Sequence, residues 1–150
     1  MNILFVCLGN ICRSPMAAGI MKELYRKGSI QGVVDSAGVR DWNEGSGADP
    51  RAVRVAGRAG IDIKSHRARQ IRPDDFRRFQ LIVVVDSLVE RDVRGQAPPE
   101  VQDKIKRLTE ADLEDPYHRD EDFYTHTFDR IEEGCLKIIE DFNLTGKAQP

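Results

Sequence analysis

Met1-Asn-Ile-Leu-Phe-Val-Cys7-Leu-Gly-Asn10-Ile-Cys-Arg13-Ser-Pro15 is the stretch that decides the fold. Ile3 to Val6 is a short apolar run with strand propensity, and Cys7 ends it. Leu8 to Arg13 then reads as a six-residue loop. It contains Gly9 and Asn10, residue types that accept left-handed backbone. Ser14-Pro15 reads as a helix N-cap followed by proline at the first helical position. A nucleophile thus sits at the carboxyl end of a strand, where loop amides and the next helix N-terminus can converge. Such a place attracts anions.

The same surroundings bear on the chemistry of Cys7. The thiolate is the nucleophile, and a helix N-terminus and a nearby guanidinium both favour it over the thiol. Arg13 would supply the guanidinium, whose planar fork also fits two phosphoryl oxygens. Nucleophile and oxyanion cradle together imply in-line attack on phosphorus and a thiophosphate intermediate. The bare Cys-x5-Arg spacing carries little weight, because arginine occupies 16 of 150 positions. The strand before it, the Gly-Asn within it and the Ser-Pro after it carry the inference.

Outward from this stretch, the pattern alternates. A helix is expected from about Pro15 to Lys27, with Met16, Ala17, Ile20, Met21 and Leu24 on one face and Gly28 at its end. Val33 to Ala37 reads as a strand, and Gly38 to Asp49 as a loop holding Trp42. A short helix over Pro50 to Gly57 is capped by Asp49, with Val53 and Ala56 inward. Ile61 to Ile63 and Ser65 to Ile71 form a basic connector, and a short helix starts after Pro73 at Asp74, Asp75 and Phe76. The arginines here, Arg67, Arg69, Arg72, Arg77 and Arg78, read as a solvated face, with a docking patch as the other possibility. Gln80 to Val85 is a continuous apolar run, as in a strand buried on both faces of a parallel sheet. Ser87 to Arg94 is helical, Lys104 to Leu108 is a shorter strand candidate, and Glu110 to Asp122 is an acidic loop. The last helix is expected from about Thr127 to Phe142, with Phe128, Ile131, Cys135, Ile138, Ile139 and Phe142 inward. Asn143 to Pro150 reads as a tail. Strands alternating with helices make the class α/β with a parallel sheet, whose ligands bind outside the carboxyl ends of the strands.

Composition sets the outer limits. A chain of 150 residues with 40% apolar and 32% charged residues suits a single domain over residues 1–150. Net charge is −2, so no general affinity for nucleic acid or membrane is implied. No apolar run approaches the ~18 residues of a membrane span, and no signal peptide is evident. Three cysteines, an odd number without a disulfide framework, point to a reducing cytoplasm. No metal-ligand spacing appears, so no metal or other cofactor is expected.

Val6-Cys-Leu-Gly-Asn-Ile-Cys-Arg-Ser-Pro15 resembles the signature of the low-molecular-weight protein tyrosine phosphatases, in their bacterial form. The resemblance continues at Asp35 to Gly38, Ser65 to Gln70, Val85-Asp86 and Asp115-Pro-Tyr117, nearly the whole chain. It implies a three-layer domain with a four-stranded parallel sheet, helices on both faces, and a phosphate-binding loop between the first strand and first helix. It implies hydrolysis of phosphotyrosine through a phosphocysteine on Cys7, with Arg13 binding the phosphoryl group. By itself Asp115-Pro-Tyr117 would be a common turn. By the resemblance Asp115 is the general acid and then the base, with Asp112, Glu114, Asp120 and Asp122 as bystanders.

Leu8, Gly9, Asn10, Ile11, Cys12 and Ser14 would surround the phosphoryl group, and Trp42 and Tyr117 would wall the pocket as aromatic plates. Ser14, besides capping, would offer its hydroxyl to the Cys7 sulfur. His66 would buttress the loop, and His118 and His126 would lie on the surface. Cys12 could trap an oxidised Cys7 as a disulfide, the alternative being a packed thiol. The implied partner is a tyrosine-phosphorylated protein, a bacterial tyrosine kinase among the candidates, and the expected state is a monomer.

The chain departs from the family's pattern at Leu88-Val89, where relatives often carry asparagine, and at His118, where some have a second tyrosine. Thioredoxin-coupled arsenate reductases share the loop but need two mid-chain cysteines, and none lies between Cys12 and Cys135. Protein-arginine phosphatases are nearer; a threonine there stands at the position of Ile11, whose bulk favours tyrosine. A phosphocarrier of the sugar-transport type would hold phosphate on Cys7 and need neither Arg13 nor Asp115, and against a non-hydrolytic phosphotyrosine-binding module stands the presence of every chemical group.

Overall fold

The computed structural model describes residues 1–146. Four strands, β1 (Ile3–Cys7), β2 (Val34–Gly38), β3 (Leu81–Val84) and β4 (Ile105–Arg107), form one parallel sheet in the order β2-β1-β3-β4. Five helices join and cover them: α1 (Arg13–Gly28), α2 (Pro50–Arg58), α3 (Asp75–Arg78), α4 (Ser87–Gln96) and α5 (Glu121–Asp141). Short 3-10 turns occupy Pro99–Lys104 and Pro116–His118.

The two central strands, β1 and β3, are buried along their whole length, as unbroken apolar runs require when both faces of a sheet are covered. Parallel strands need right-handed crossovers. The step from β1 to β2 runs one way across the sheet and the step from β3 to β4 the other, so α1 and α4 fall on opposite faces. Helix α1 packs on β1, β2 and α5, and α4 on β3 and β4. The direction of winding reverses between β1 and β3, and the carboxyl end of β1 at that reversal is where such sheets bind ligands. The fold is the expected α/β three-layer arrangement.

Several boundaries differ from expectation. Helix α1 begins at Arg13, not Pro15, and Ser14 makes no cap: the N-cap position is Cys12, with no side-chain cap bond. The serine is drawn inside the helix because its hydroxyl is engaged elsewhere. Helix α5 begins six residues earlier than Thr127, at Glu121, where the Asp120 carboxylate accepts the Phe123 amide. Its far end differs too, since Phe142 is exposed rather than inward. In α2 the buried residues are Ala52, Val55 and Ala56, with Val53 only half-buried. The basic connector is not all solvated: Arg69 pairs with Asp35 at 3.1 Å and with buried Asp75 at 2.9 Å. Cys135 is fully buried on α5, as its place on the apolar stripe requires. Asn143 to Gly146 continue from α5, and the rest of the expected tail lies outside the described residues. None of the described helices is long and apolar enough to cross a membrane.

Candidate active site

Cys7 closes β1 opposite Gly38 of β2, and the chain turns from there through Leu8–Cys12 into α1. The turn is possible because Asn10 takes the left-handed conformation, φ 59°. The loop folds back over the sulfur: the Asn10 amide donates to Cys7 Sγ at 3.3 Å, and Ser14 Oγ lies 2.9 Å from it.

Asn10 is the hub. Its Oδ1 accepts the Arg69 backbone N–H at 2.9 Å, which can only donate, so the amide's orientation is set. Its Nδ2 therefore donates to Ser14 Oγ at 2.8 Å and Ser36 Oγ at 2.9 Å. Ser14 Oγ has two further neighbours, Cys7 Sγ at 2.9 Å and Ala37 O at 3.5 Å, and to a thiolate sulfur, which carries no proton, it can only donate. His66 Nε2 lies 2.7 Å from Asn10 O and donates to it, which is the buttress expected of that residue. Burial, above all, holds His66 below its ordinary pKa, so the ring is neutral.

Arg13 is buried beneath the loop. One terminal nitrogen, Nη1, is consumed by Asp86 Oδ2 at 2.8 Å and Leu113 O at 2.7 Å. Nη2 lies 3.5 Å from Asp115 Oδ2, and Nε has no hydrogen-bond partner among the described residues. Burial opposes its charge, but the neighbouring Cys7, Asp115 and Asp86 outweigh that and hold the guanidinium more firmly protonated than usual. Asp86 also caps α4, accepting the Val89 amide at 2.8 Å. In the sequence, Val85-Asp86 stands out only as a match to the family's pattern. An aspartate directly after a buried strand is a helix-cap signal, but its pairing with Arg13 spans the fold. The residues after it, Leu88 and Val89, are an exposed leucine and a core valine.

Cys7, Leu8, Gly9, Ile11, Cys12, Arg13, Trp42, Asn43, Asp115, Tyr117 and His118 line one cavity of ≈ 420 Å³. Trp42 is 67% exposed and Tyr117 47%, too open for core aromatics and suited to a mouth. The expected lining is therefore brought together, with two exceptions. Asn10 and Ser14 stand behind the wall, fully buried, where they organise the loop rather than face the cavity. Asn43 and His118 were not foreseen in the wall. Asn43 Nδ2 donates to Gly9 O at 3.1 Å, an approach that glycine's missing side chain allows. Cys12 Sγ contacts Tyr124 Oη at 3.2 Å, and burial pushes its thiol up to about 12, so it stays protonated. A sulfur under two donors, an arginine with free N–H groups and a carboxylate beside it can bind an oxyanion, attack it and move a proton.

The family model described as low molecular weight phosphotyrosine protein phosphatase matches residues 2–148. The low molecular weight phosphotyrosine protein phosphatase of Sus scrofa is 35% identical over 149 residues, spanning 93% of this chain and 94% of the pig protein. The crystal structure of the low molecular weight protein tyrosine phosphatase from T. tengcongensis is 36% identical, with a TM-score of 0.88 over 94% of this chain and 99% of that one. The YwlE arginine phosphatase, as a mutant with a phosphorylated active-site serine, is 26% identical, with a TM-score of 0.87 over 95% and 96% of the two chains.

Proposed function

Since the chain belongs to the low molecular weight phosphotyrosine protein phosphatases, we propose that it hydrolyses protein phosphotyrosine and other aryl phosphate monoesters through a phosphocysteine on Cys7. One observation carries this: Cys7 Sγ, with Ser14 Oγ at 2.9 Å, lies in the wall of the same cavity as Arg13 and Asp115, whose Nη2 and Oδ2 are 3.5 Å apart.

The phosphoryl oxygens lie against the loop amides and the Nε and Nη2 groups of Arg13, because Nη1 is already engaged. The Cys7 thiolate attacks phosphorus, a P–S bond forms, and the P–O bond to the phenol breaks. Asp115, 40% exposed at the cavity's edge, gives its proton to the departing oxygen. It then takes a proton from water as that water attacks the phosphocysteine. The P–S bond breaks and the thiolate returns, received by the Ser14 hydroxyl and the Asn10 amide. Inorganic phosphate leaves. The phosphorylated serine in the YwlE mutant supports a covalent intermediate in a relative of the same fold.

That relative also raises phosphoarginine as a second substrate class. Ile11, half-buried and lining the same cavity as Trp42 and Tyr117, offers apolar surface to a phenol ring and no hydrogen bond to a guanidino group. Phosphotyrosine is accordingly the favoured substrate, carried on a protein such as a tyrosine kinase. The cytoplasm is the favoured compartment, because the chemistry needs a reduced Cys7.

The test is hydrolysis of p-nitrophenyl phosphate, a phosphotyrosine peptide and a phosphoarginine peptide, in EDTA and reductant. Wild type is expected to turn over the first two, Cys7→Ser to abolish this, and Asp115→Ala to slow it. No turnover by folded wild type would leave a phosphocarrier or binding module. Preference for phosphoarginine would overturn the substrate assignment alone.

A further inference from the structure

Arg51, on the first turn of α2, has no place in the chemistry above, yet its guanidinium joins two segments that must meet. Nε and Nη2 hold the Asp49 carboxylate, Oδ1 at 3.0 Å and Oδ2 at 2.9 Å. Nη1 donates to Arg119 O at 2.9 Å and Nη2 to Tyr117 O at 2.8 Å. Its carbon centre lies 5.7 Å from the ring centroid of Tyr117 and 4.7 Å from that of Tyr124. Asp49 in turn is fastened to the nucleophile loop, its backbone N–H donating to Ile11 O at 2.8 Å. A continuous path of bonds therefore runs from Ile11 through Asp49 and Arg51 to the carbonyls just after Asp115.

We infer that Arg51 is a positioning residue that holds the Asp115 segment in register with the Cys7 loop. The inference rests on the general-acid role proposed for Asp115. The segment is tied in front by buried Leu113, whose amide donates to Val85 O at 3.0 Å. Behind Asp115 it turns through Pro116–His118, and Arg51 grips that turn at Tyr117 and again at Arg119. The Asp115 carboxylate is aimed by the same turn, since its Oδ1 accepts the Tyr117 amide at 3.1 Å. Displacing Tyr117 thus displaces the acid. Arginine suits the task because its rigid fork reaches a carboxylate and two carbonyls at once while its flat face lies on aromatic rings; a lysine ammonium is one compact point of charge.

An acid held out of place fails most where the leaving group needs it most. The experiment measures kcat/KM for phenyl phosphate and p-nitrophenyl phosphate with wild type, Arg51→Ala, Arg51→Lys, Asp115→Asn and the Arg51→Ala/Asp115→Asn double variant, each checked for native circular dichroism. Arg51→Ala is expected to lose about tenfold to hundredfold with phenyl phosphate and far less with p-nitrophenyl phosphate, whose phenoxide leaves unaided. Arg51→Lys shows the same selectivity, and it decides the matter if Arg51→Ala does not fold. The double variant should be no slower than Asp115→Asn, since two changes acting through one group do not add. Equal losses on both substrates, or losses that multiply in the double variant, would reduce Arg51 to a structural residue and leave the role of Asp115 intact. If Asp115→Asn itself shows no leaving-group selectivity, the general-acid role falls and the Arg51 inference falls with it.

Discussion

Ser14 and His66 each act on the nucleophile loop through one atom, and each can be tested by removing that atom. Ser14→Ala leaves Asn10 Nδ2 its bond to Ser36 Oγ, so the fold should lose only about 1 kcal/mol. The sulfur, however, loses its hydroxyl neighbour at 2.9 Å. The step that needs it is release of the thiolate from phosphocysteine, so breakdown slows more than formation. A burst of p-nitrophenol followed by a steady rate about tenfold below wild type is expected in stopped flow. An unchanged steady rate without a burst would assign Ser14 to folding alone. His66 is held neutral by burial, below its ordinary value of 6.5, while the unfolded chain protonates normally. A group depressed on folding contributes stability above its unfolded pKa and loses it as pH falls through the folded one. Urea midpoints should therefore drop between about pH 7.5 and pH 5.5. His66→Gln, which keeps an N–H for Asn10 O, should drop less over that interval; parallel curves would exclude His66 as the source.

At the scale of elements, β2 ends on Gly38 for a reason that lies in the neighbouring loop. A Cβ there would stand 2.9 Å from Leu8 O and 3.1 Å from Asn10 N, both backbone atoms that cannot turn aside. Gly38→Ala should cost about 1–3 kcal/mol in denaturant unfolding. It should also lower kcat/KM strongly, because the loop that moves is the one over Cys7. Full activity with lowered stability would show that the loop adjusts independently of β2. The expected strand Val33 to Ala37 stopped one residue short, since nothing local marks a glycine as a strand end chosen by its neighbour. Signals carried within a few residues were legible: the apolar runs of β1 and β3, the left-handed Asn10, the Asp49 cap of α2. The first turns of α5 were not, because Glu121 to His126 shows no apolar period, although Asp120 and the two acids after it are a helix start by chemistry. Asp86 against Arg13 and Arg51 against Tyr117 were hidden for a different cause. They are 73 and 66 residues apart in the chain, and only the packed fold makes them neighbours.

For the whole molecule, the cavity belongs to no single element. The β1–α1 loop, the Trp42-Asn43 stretch and the Asp115–His118 turn supply its wall, and Asp86 at the head of α4 steadies Arg13 from behind. An oxyanion held there touches segments that unfolding would scatter, so its binding energy is added to the stability of the entire chain. The gain follows mass action, about 2.7 kcal/mol at a ligand concentration of a hundred times Kd. For a protein of this length that is a rise in Tm of about 5–10 °C. Orthovanadate or inorganic phosphate should therefore raise Tm in calorimetry, in proportion to the logarithm of its concentration, and EDTA should not reverse the phosphate effect. Arg13→Ala should melt earlier without ligand, because Asp86 is left as a part-buried carboxylate without its partner. The decisive quantity is the ligand-induced shift, which should vanish in that variant because the cavity has lost the guanidinium that binds the oxyanion. A shift that survives in Arg13→Ala would place the anion elsewhere on the molecule, and no shift in wild type would mean that the loop over Cys7 does not bind phosphate.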